Sequence, residues 1–181
     1  MGKFIFNLIL CFFLFANGTD GQKGLQTRDA FLERCRFLLE NSGVWEAVNP
    51  DFDSTKEWSA SHYGYKFETG YHENFLKIKI NGLVKGKRYL YWDGYYFWNP
   101  AKQRVEYFSL GTSGSLARGE MISTSSDLYF TVINPEGSES IHLDTESKIS
   151  QNEFHSQSFK LEKGVWKKNN FLVWKRIIDK N

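Results

Sequence analysis

The chain has 181 residues, of which 41% are hydrophobic, 17% aromatic and 24% charged, and its formal net charge is +2. This composition predicts one folded domain with its own core and excludes a disordered or low-complexity chain. A net charge so close to zero gives no indication of nucleic-acid binding, and we predict no nucleic-acid partner.

The N-terminal segment MGKFIFNLILCFFLFANGTDGQ places Lys3 before an apolar run from Phe4 to Ala16. The run has the length of the apolar region of a signal peptide and is too short for a membrane span. We therefore predict a signal peptide at 1–22, a mature domain at 23–181 without a membrane span, and a secreted or periplasmic protein. An N-terminal anchor and a buried helix are the alternatives.

The next segment, TRDAFLERCRFLLEN at 27–41, has the pattern of an amphipathic helix. Its apolar positions recur at helical spacing, at Phe31, Leu32, Cys35, Leu38 and Leu39. Thr27 is a suitable N-cap and Gly43 a suitable stop. Because only one face is apolar, we expect the helix to pack on the rest of the domain, with Cys35 as a core residue.

After the helix, the period of the apolar pattern changes to two residues, which is typical of strands. The predicted strands are 62–68, 75–80, 89–98 as a hairpin, 104–110, 115–122, 128–134, 140–145, 153–163 and 171–177. Short strands at such regular spacing, separated by Gly, Asn and Asp, predict an antiparallel sandwich or barrel.

The segment YLYWDGYYFWNP at 89–100 has aromatic side chains at seven of its twelve positions. We predict that Asp93-Gly94 forms the turn of a two-residue β-hairpin, because both residues tolerate positive φ. That hairpin would sort its side chains into two faces, Tyr89, Tyr91, Tyr96 and Trp98 on one and Leu90, Trp92, Tyr95 and Phe97 on the other. One face would line the interior, and the other would need a cover from the helix, a loop, a second subunit or a membrane surface.

Two motifs near the ends of the domain carry a family resemblance. Gly43-Val44-Trp45 opens the first strand, and Arg176 lies in the last one. This resembles the lipocalin and calycin arrangement, in which a G-x-W tryptophan at the barrel floor packs against an arginine from the final strand. The segment WDGYYFWNPAKQRVEYFSLGTSGSLARGEM is similar to bacterial lipocalin-like proteins of unknown function. The resemblance implies an all-β, antiparallel up-and-down β-barrel of the calycin type with one N-terminal α-helix, in which Trp45 and Arg176 form a structural contact.

Patterns for catalysis or metal binding are weak. The four histidines, His62, His72, His142 and His155, have no metal-binding spacing, and we predict no metal site. We predict no catalytic residue and no cofactor. Haem ligation by His155 is the alternative, because that residue shares a predicted strand face with apolar side chains.

We predict a binding protein that holds a small apolar or amphipathic molecule in its barrel, because a barrel of eight to ten strands is the size that encloses one small ligand. The predicted wall of the site is Tyr63, Tyr65, Tyr89, Tyr91 and Trp98. Two alternatives stay open. One is an enzyme of the same fold with a histidine and a carboxylate at the barrel mouth. The other is a carbohydrate-binding or envelope-interaction module that uses the aromatic face of Tyr89, Tyr91, Tyr96 and Trp98. A homodimer formed through this face is one form of that alternative.

Overall fold

The computed structural model describes residues 27–122 and 127–178, so the predicted signal peptide at 1–22 lies outside the described residues. These residues form one helix and ten strands. The elements are α1 (Arg28–Leu39), β1 (Val44–Val48), β2 (His62–Thr69), β3 (Phe75–Val84), β4 (Lys87–Asn99), β5 (Arg104–Gly111), β6 (Leu116–Met121), β7 (Leu128–Ile133), β8 (Glu139–Ser150), β9 (Glu153–Glu162) and β10 (Val165–Arg176).

The ten strands form one closed barrel in which each strand pairs antiparallel with its neighbours in the chain. Closure is made by β1 and β10, where Trp45 lies opposite Arg176. Closure leaves the sheet without a free edge, and it places alternate side chains inside. The predicted all-β up-and-down barrel with an N-terminal helix is therefore confirmed.

Helix α1 packs across one end of the barrel, which we call the closed end. The Thr27 hydroxyl accepts a hydrogen bond from the Ala30 amide at 3.1 Å, which confirms the predicted N-cap. The helix ends at Leu39, two residues before its predicted end, because the Glu40 backbone is no longer helical. Its buried face is Phe31, Cys35 and Leu38. No helix within 27–122 or 127–178 is long and apolar enough to cross a membrane.

Gly43 joins the helix to the first strand and is required there by its conformation. Its φ is +65°, and a Cβ at this position would lie 2.5 Å from the Phe67 carbonyl oxygen. Only glycine accepts both the left-handed backbone and the close approach. The turn brings the helix directly beneath β1 and β2.

Trp45 and Arg176 form the floor of the barrel. The Arg176 guanidinium carbon lies 4.1 Å from the centroid of the Trp45 ring, which confirms the predicted contact. The same guanidinium donates to the carbonyl oxygens of Glu40 at 2.5 Å, Phe37 at 2.6 Å and Gln151 at 2.9 Å. One side chain thus joins the first strand, the last strand, the helix and the β8–β9 turn.

The predicted Asp93-Gly94 hairpin is wrong, because both residues lie in the middle of the single 13-residue strand β4. Asp93 pairs with Lys79 on β3 and with Leu110 on β5, so partners on both sides hold the backbone extended. Gly94 serves a close approach between strands, since a Cβ there would lie 2.3 Å from the Phe108 carbonyl oxygen. The local turn preference is overridden by two strands that are remote in sequence.

A β-bulge replaces the turn as the feature that sorts the aromatic rings of β4. The register moves from Ile80 opposite Trp92 to Asn81 opposite Leu90, which leaves Tyr91 as an extra residue. The bulge reverses the alternation of inner and outer positions, so Tyr91 and Trp92 both face the interior.

Of the predicted face, Tyr91, Tyr96 and Trp98 lie inside the barrel, whereas Tyr89 is 38% exposed at the start of the strand. Trp92 joins this inner face, contrary to prediction. Leu90, Tyr95 and Phe97 lie outside, where Phe97 stacks on Phe75 with ring centroids 5.6 Å apart.

Replacing Arg176 by alanine should strongly destabilise the fold. The change removes the cation from above the Trp45 ring and leaves the carbonyl groups of Phe37, Glu40 and Gln151 without their donor. We expect the free energy of unfolding in urea to fall by about 3 kcal/mol.

Arg88→Ala is the matched control, because Arg88 forms an exposed ion pair with Glu46 on the barrel surface. Its loss should cost less than about 1 kcal/mol. Equal losses in the two variants would show that the floor contact does not hold the barrel together.

Candidate functional site

Above the floor, the barrel interior contains a cavity of about 330 Å³, which we call the lumen cavity. This volume lies at the lower end of the range of about 300–1,000 Å³ that is typical of small-molecule sites. Its wall consists of the aromatic and apolar residues Tyr63, Tyr65, Ile80, Tyr91, Trp92, Tyr96, Tyr107, Ala117, Leu128, Phe130, Val132, Leu172 and Trp174 and the polar residues His142, Asp144, Ser158 and Asn170. The barrel is therefore not filled by its own side chains.

Three of the five predicted wall residues, Tyr63, Tyr65 and Tyr91, line this cavity. The ring of Tyr65 stacks on Trp174 with centroids 4.0 Å apart, which sets the orientation of its hydroxyl. The other two predicted residues lie elsewhere. Trp98 is buried in the core near the closed end, and Tyr89 lies near the opposite end, edge-on to Trp58 at 5.6 Å. Tyr89 and Trp98 lie far apart because β4, which carries both, runs the full height of the barrel.

The polar part of the wall was not predicted as a site. His142 and Asp144 come from β8, Ser158 from β9 and Asn170 from β10, so three adjacent strands supply it. The signal in the sequence is the alternation in SIHLDT at 140–145, which places His142 and Asp144 on one strand face. In an ordinary strand that polar face would lie outside, and only the closed barrel shows that it faces inward.

Asp144 is the unusual group of the lumen cavity. Burial raises the pKa of its carboxyl group to about 7, and the negative charge of Glu146 adds to this effect, while a hydrogen bond from Ser158 opposes it. Among residues 27–122 and 127–178, no lysine or arginine forms an ion pair with Asp144. Near neutral pH this carboxyl group is therefore partly protonated, and none of the described lysines and arginines is paired with it.

Glu146, two residues further along the same strand, has a partner. The Arg34 guanidinium of α1 donates to its carboxylate at 2.6 Å, and both side chains are only 14% exposed. The helix thus supplies one cation to the lower interior of the barrel, and Glu146 takes it. Asp144 is left as the uncompensated acid of the wall.

His142 and Asp144 do not form an acid–base pair in the lumen cavity. The His142 Nε2 atom lies 2.8 Å from the Ser140 hydroxyl, and its ring stacks on Phe130 with centroids 5.2 Å apart. Burial and then the charge of Lys160 lower the pKa of His142, which keeps it neutral near pH 7. His155 contacts Glu153 and Phe171 and is not part of the cavity wall. In the described part of the chain, no three His, Cys, Asp or Glu side chains cluster as metal ligands would.

The end of the barrel opposite the helix carries the loop 49–61. A groove of about 560 Å³ lies beneath this loop, with Tyr63 and Tyr91 in its wall. The same two tyrosines line the lumen cavity, so they lie between the cavity and the groove. The loop end is therefore the mouth of the barrel. Trp58 on the loop is 66% exposed and contacts Tyr89 at this mouth.

We compared the chain with protein-family models and with curated proteins, and neither comparison gave a significant match.

Asp144→Asn should stabilise the ligand-free protein at alkaline pH. A carboxyl group with a pKa of 3.8 in the unfolded chain and about 7 in the folded barrel binds more protons in the folded state. The stability that the protonated Asp144 carboxyl group contributes is fully present below pH 4. It falls as the pH rises from 4 to 7 and is lost above pH 7. Relative to Asp144→Asn, the wild type should lose about 2 kcal/mol of unfolding free energy between pH 5 and pH 8.

Urea unfolding of the wild type and of Asp144→Asn at pH 5 and pH 8 measures this difference in unfolding free energy. The titration of the other groups cancels because it is the same in both proteins. Glu139→Gln, at an exposed position at the start of the same strand, is the control and should track the wild type. A difference between wild type and Asp144→Asn that stays constant with pH would contradict the raised pKa.

Proposed function

We propose that this protein binds a small amphipathic molecule in the lumen cavity. The observation that carries the proposal is the unfilled cavity of about 330 Å³ inside the closed barrel. Protein interiors are normally packed with side chains, so an unfilled space of this size with polar groups in its wall is typical of a ligand site.

The distribution of polarity favours an amphipathic ligand over a purely apolar one. The polar residues other than tyrosine lie on the adjacent strands β8 to β10, whereas Ile80, Trp92 and Val132 lie on β3 to β7. A ligand would turn its polar group towards Asp144 and Ser158 and its apolar part towards the opposite wall. A purely apolar ligand would leave these polar groups dry and without partners.

We extend the proposal to a secreted or periplasmic binding protein of the lipocalin-like type. The support is the N-terminal pattern at 1–22 together with the floor contact of Trp45 and Arg176. A barrel that encloses its ligand suits the carriage of poorly soluble molecules outside the cytoplasm.

The enzyme alternative has one observation in its favour, since His142 and Asp144 share the cavity. However, His142 interacts with Ser140 and Phe130, and Asp144 with Ser158, so these two cavity residues do not form a histidine–carboxylate pair. Binding without chemistry is therefore the better-supported function.

The envelope-interaction alternative relied on an outward aromatic face. Tyr96 is buried inside the barrel, so that face is not available to a partner. The outer surface still exposes Leu90, Phe108 and Leu110. A homodimer stays a prediction, which analytical ultracentrifugation tests.

Three probes with the same eight-carbon chain, 1-octanol, octylamine and octanoate, test the proposal. At least one should bind with a Kd between about 1 μM and 1 mM, as expected for a ligand of this size. Because Trp92 and Trp174 line the cavity, binding should change the tryptophan fluorescence. Isothermal titration calorimetry supplies the affinity and the stoichiometry of one.

Val132→Phe adds a larger ring to the cavity wall and should weaken binding about tenfold or more. Ile133→Phe is the matched control, because the next residue of the same strand points to the outer face and should leave binding unchanged. Absence of binding for all three probes, or equal weakening by both variants, would refute the lumen site.

A further inference from the structure

We propose that the ligand of the lumen cavity carries a cationic amino group and that Asp144 binds this group. The inference rests on the proposed function and names the class of molecule that the cavity accepts. The inference is based on the charged side chains that point into the barrel. Two carboxylates, Asp144 and Glu146, point inward from β8, and one arginine, Arg34, faces them.

Arg34 does not neutralise both carboxylates. It forms its ion pair with Glu146, where its guanidinium makes a direct hydrogen bond at 2.6 Å. Asp144 lies higher in the barrel, on the wall of the cavity itself. A buried acid without a counter-charge is costly in an empty barrel, and a cation that enters the cavity removes this cost.

Unlike Glu146, a serine, two tyrosines and a histidine around Asp144 are polar and uncharged. Ser158 lies opposite Asp144 on β9 and lowers the pKa of its carboxyl group. Burial raises the pKa of the Tyr65 hydroxyl on β2 well above its usual value, and the charge of Asp144 adds to this. Burial also raises the pKa of Tyr107 on β5 to about 12, with a further contribution from Asp144. Both tyrosines therefore stay protonated. His142, which lies on β8 like Asp144, stays neutral.

The aromatic wall suits an ammonium group as well. Tyr65, Trp92, Tyr107 and Phe130 all line the cavity. A desolvated ammonium gains from the faces of such rings in addition to its ion pair with a carboxylate. An amino group bound at Asp144 therefore meets both kinds of partner in one site.

The same charges discriminate against anions. A carboxylate ligand in the cavity would face Asp144 and Glu146, of which only Glu146 is neutralised. Like charges in a desolvated site repel, so fatty acids and similar anions should bind poorly. The cavity thus selects by charge among amphiphiles of equal length.

Binding of an amine should also release a proton. A cation beside Asp144 lowers the pKa of the carboxyl group from about 7, so the fraction that is protonated in the empty barrel ionises. The complex should therefore release a fraction of a proton per ligand near pH 7. Calorimetry of octylamine binding in Tris and in phosphate measures this release, because the two buffers differ in their heat of protonation.

The decisive experiment compares octylamine, 1-octanol and octanoate at pH 8 on the wild type and on Asp144→Asn. For the wild type, octylamine should bind more tightly than 1-octanol by about tenfold or more, and octanoate should bind most weakly. In Asp144→Asn, the preference for octylamine should disappear while 1-octanol binding is retained. Glu139→Gln, an exposed change on the same strand, should keep the wild-type order.

The outcomes separate the two proposals. Equal affinity for the three probes would overturn the cationic class and leave the lumen site standing. A preference for octylamine that survives in Asp144→Asn would also overturn the role of Asp144. Absence of binding for every probe would overturn the lumen site, and the class of ligand with it. Because Asp144→Asn removes a buried charge, the variant should fold at least as stably as the wild type.

Discussion

The buried guanidinium of Arg176 is the interaction on which the rest of this structure depends. It lies over the Trp45 ring and donates to backbone carbonyl groups of the helix and of the β8–β9 turn. Because Trp45 and Arg176 face each other where the first and last strands pair, the same contact closes the barrel and holds α1 beneath it. The closed end leaves the space above the floor on the side of the loop 49–61, where Tyr63 and Tyr91 separate it from the groove beneath the loop.

Helix α1 also affects the balance of charge inside the barrel. By presenting Arg34 to Glu146, it neutralises the lower of two inward carboxylates and leaves Asp144 unpaired on the cavity wall. An uncompensated acid among aromatic rings destabilises an empty barrel, and sites of this kind are more often functional than structural. In this protein the cost of that charge and the proposed selectivity for a cation have the same origin.

Much of the architecture could be predicted from the sequence. The period of the apolar pattern distinguishes the helix from the strands, and the G-x-W motif with a late arginine predicts the floor contact. The Asp93-Gly94 turn was wrong because turn preference is local, whereas β3 and β5 hold these residues in an extended strand. The bulge at Tyr91 and the inward position of Trp92 depend on register, which the sequence does not specify directly. Asp144 was missed for a related reason, since an alternating strand does not reveal which of its faces is inside.

If the lumen cavity accepts a cation at Asp144, this lone carboxyl group should respond to the ligand. An NMR titration of the Asp144 side-chain carbon, in the free protein and with saturating octylamine, measures that response. We expect a pKa of about 7 in the free protein and a marked decrease when octylamine is bound. A pKa near 3.8 in the free protein, or one that octylamine leaves unchanged, would contradict this expectation.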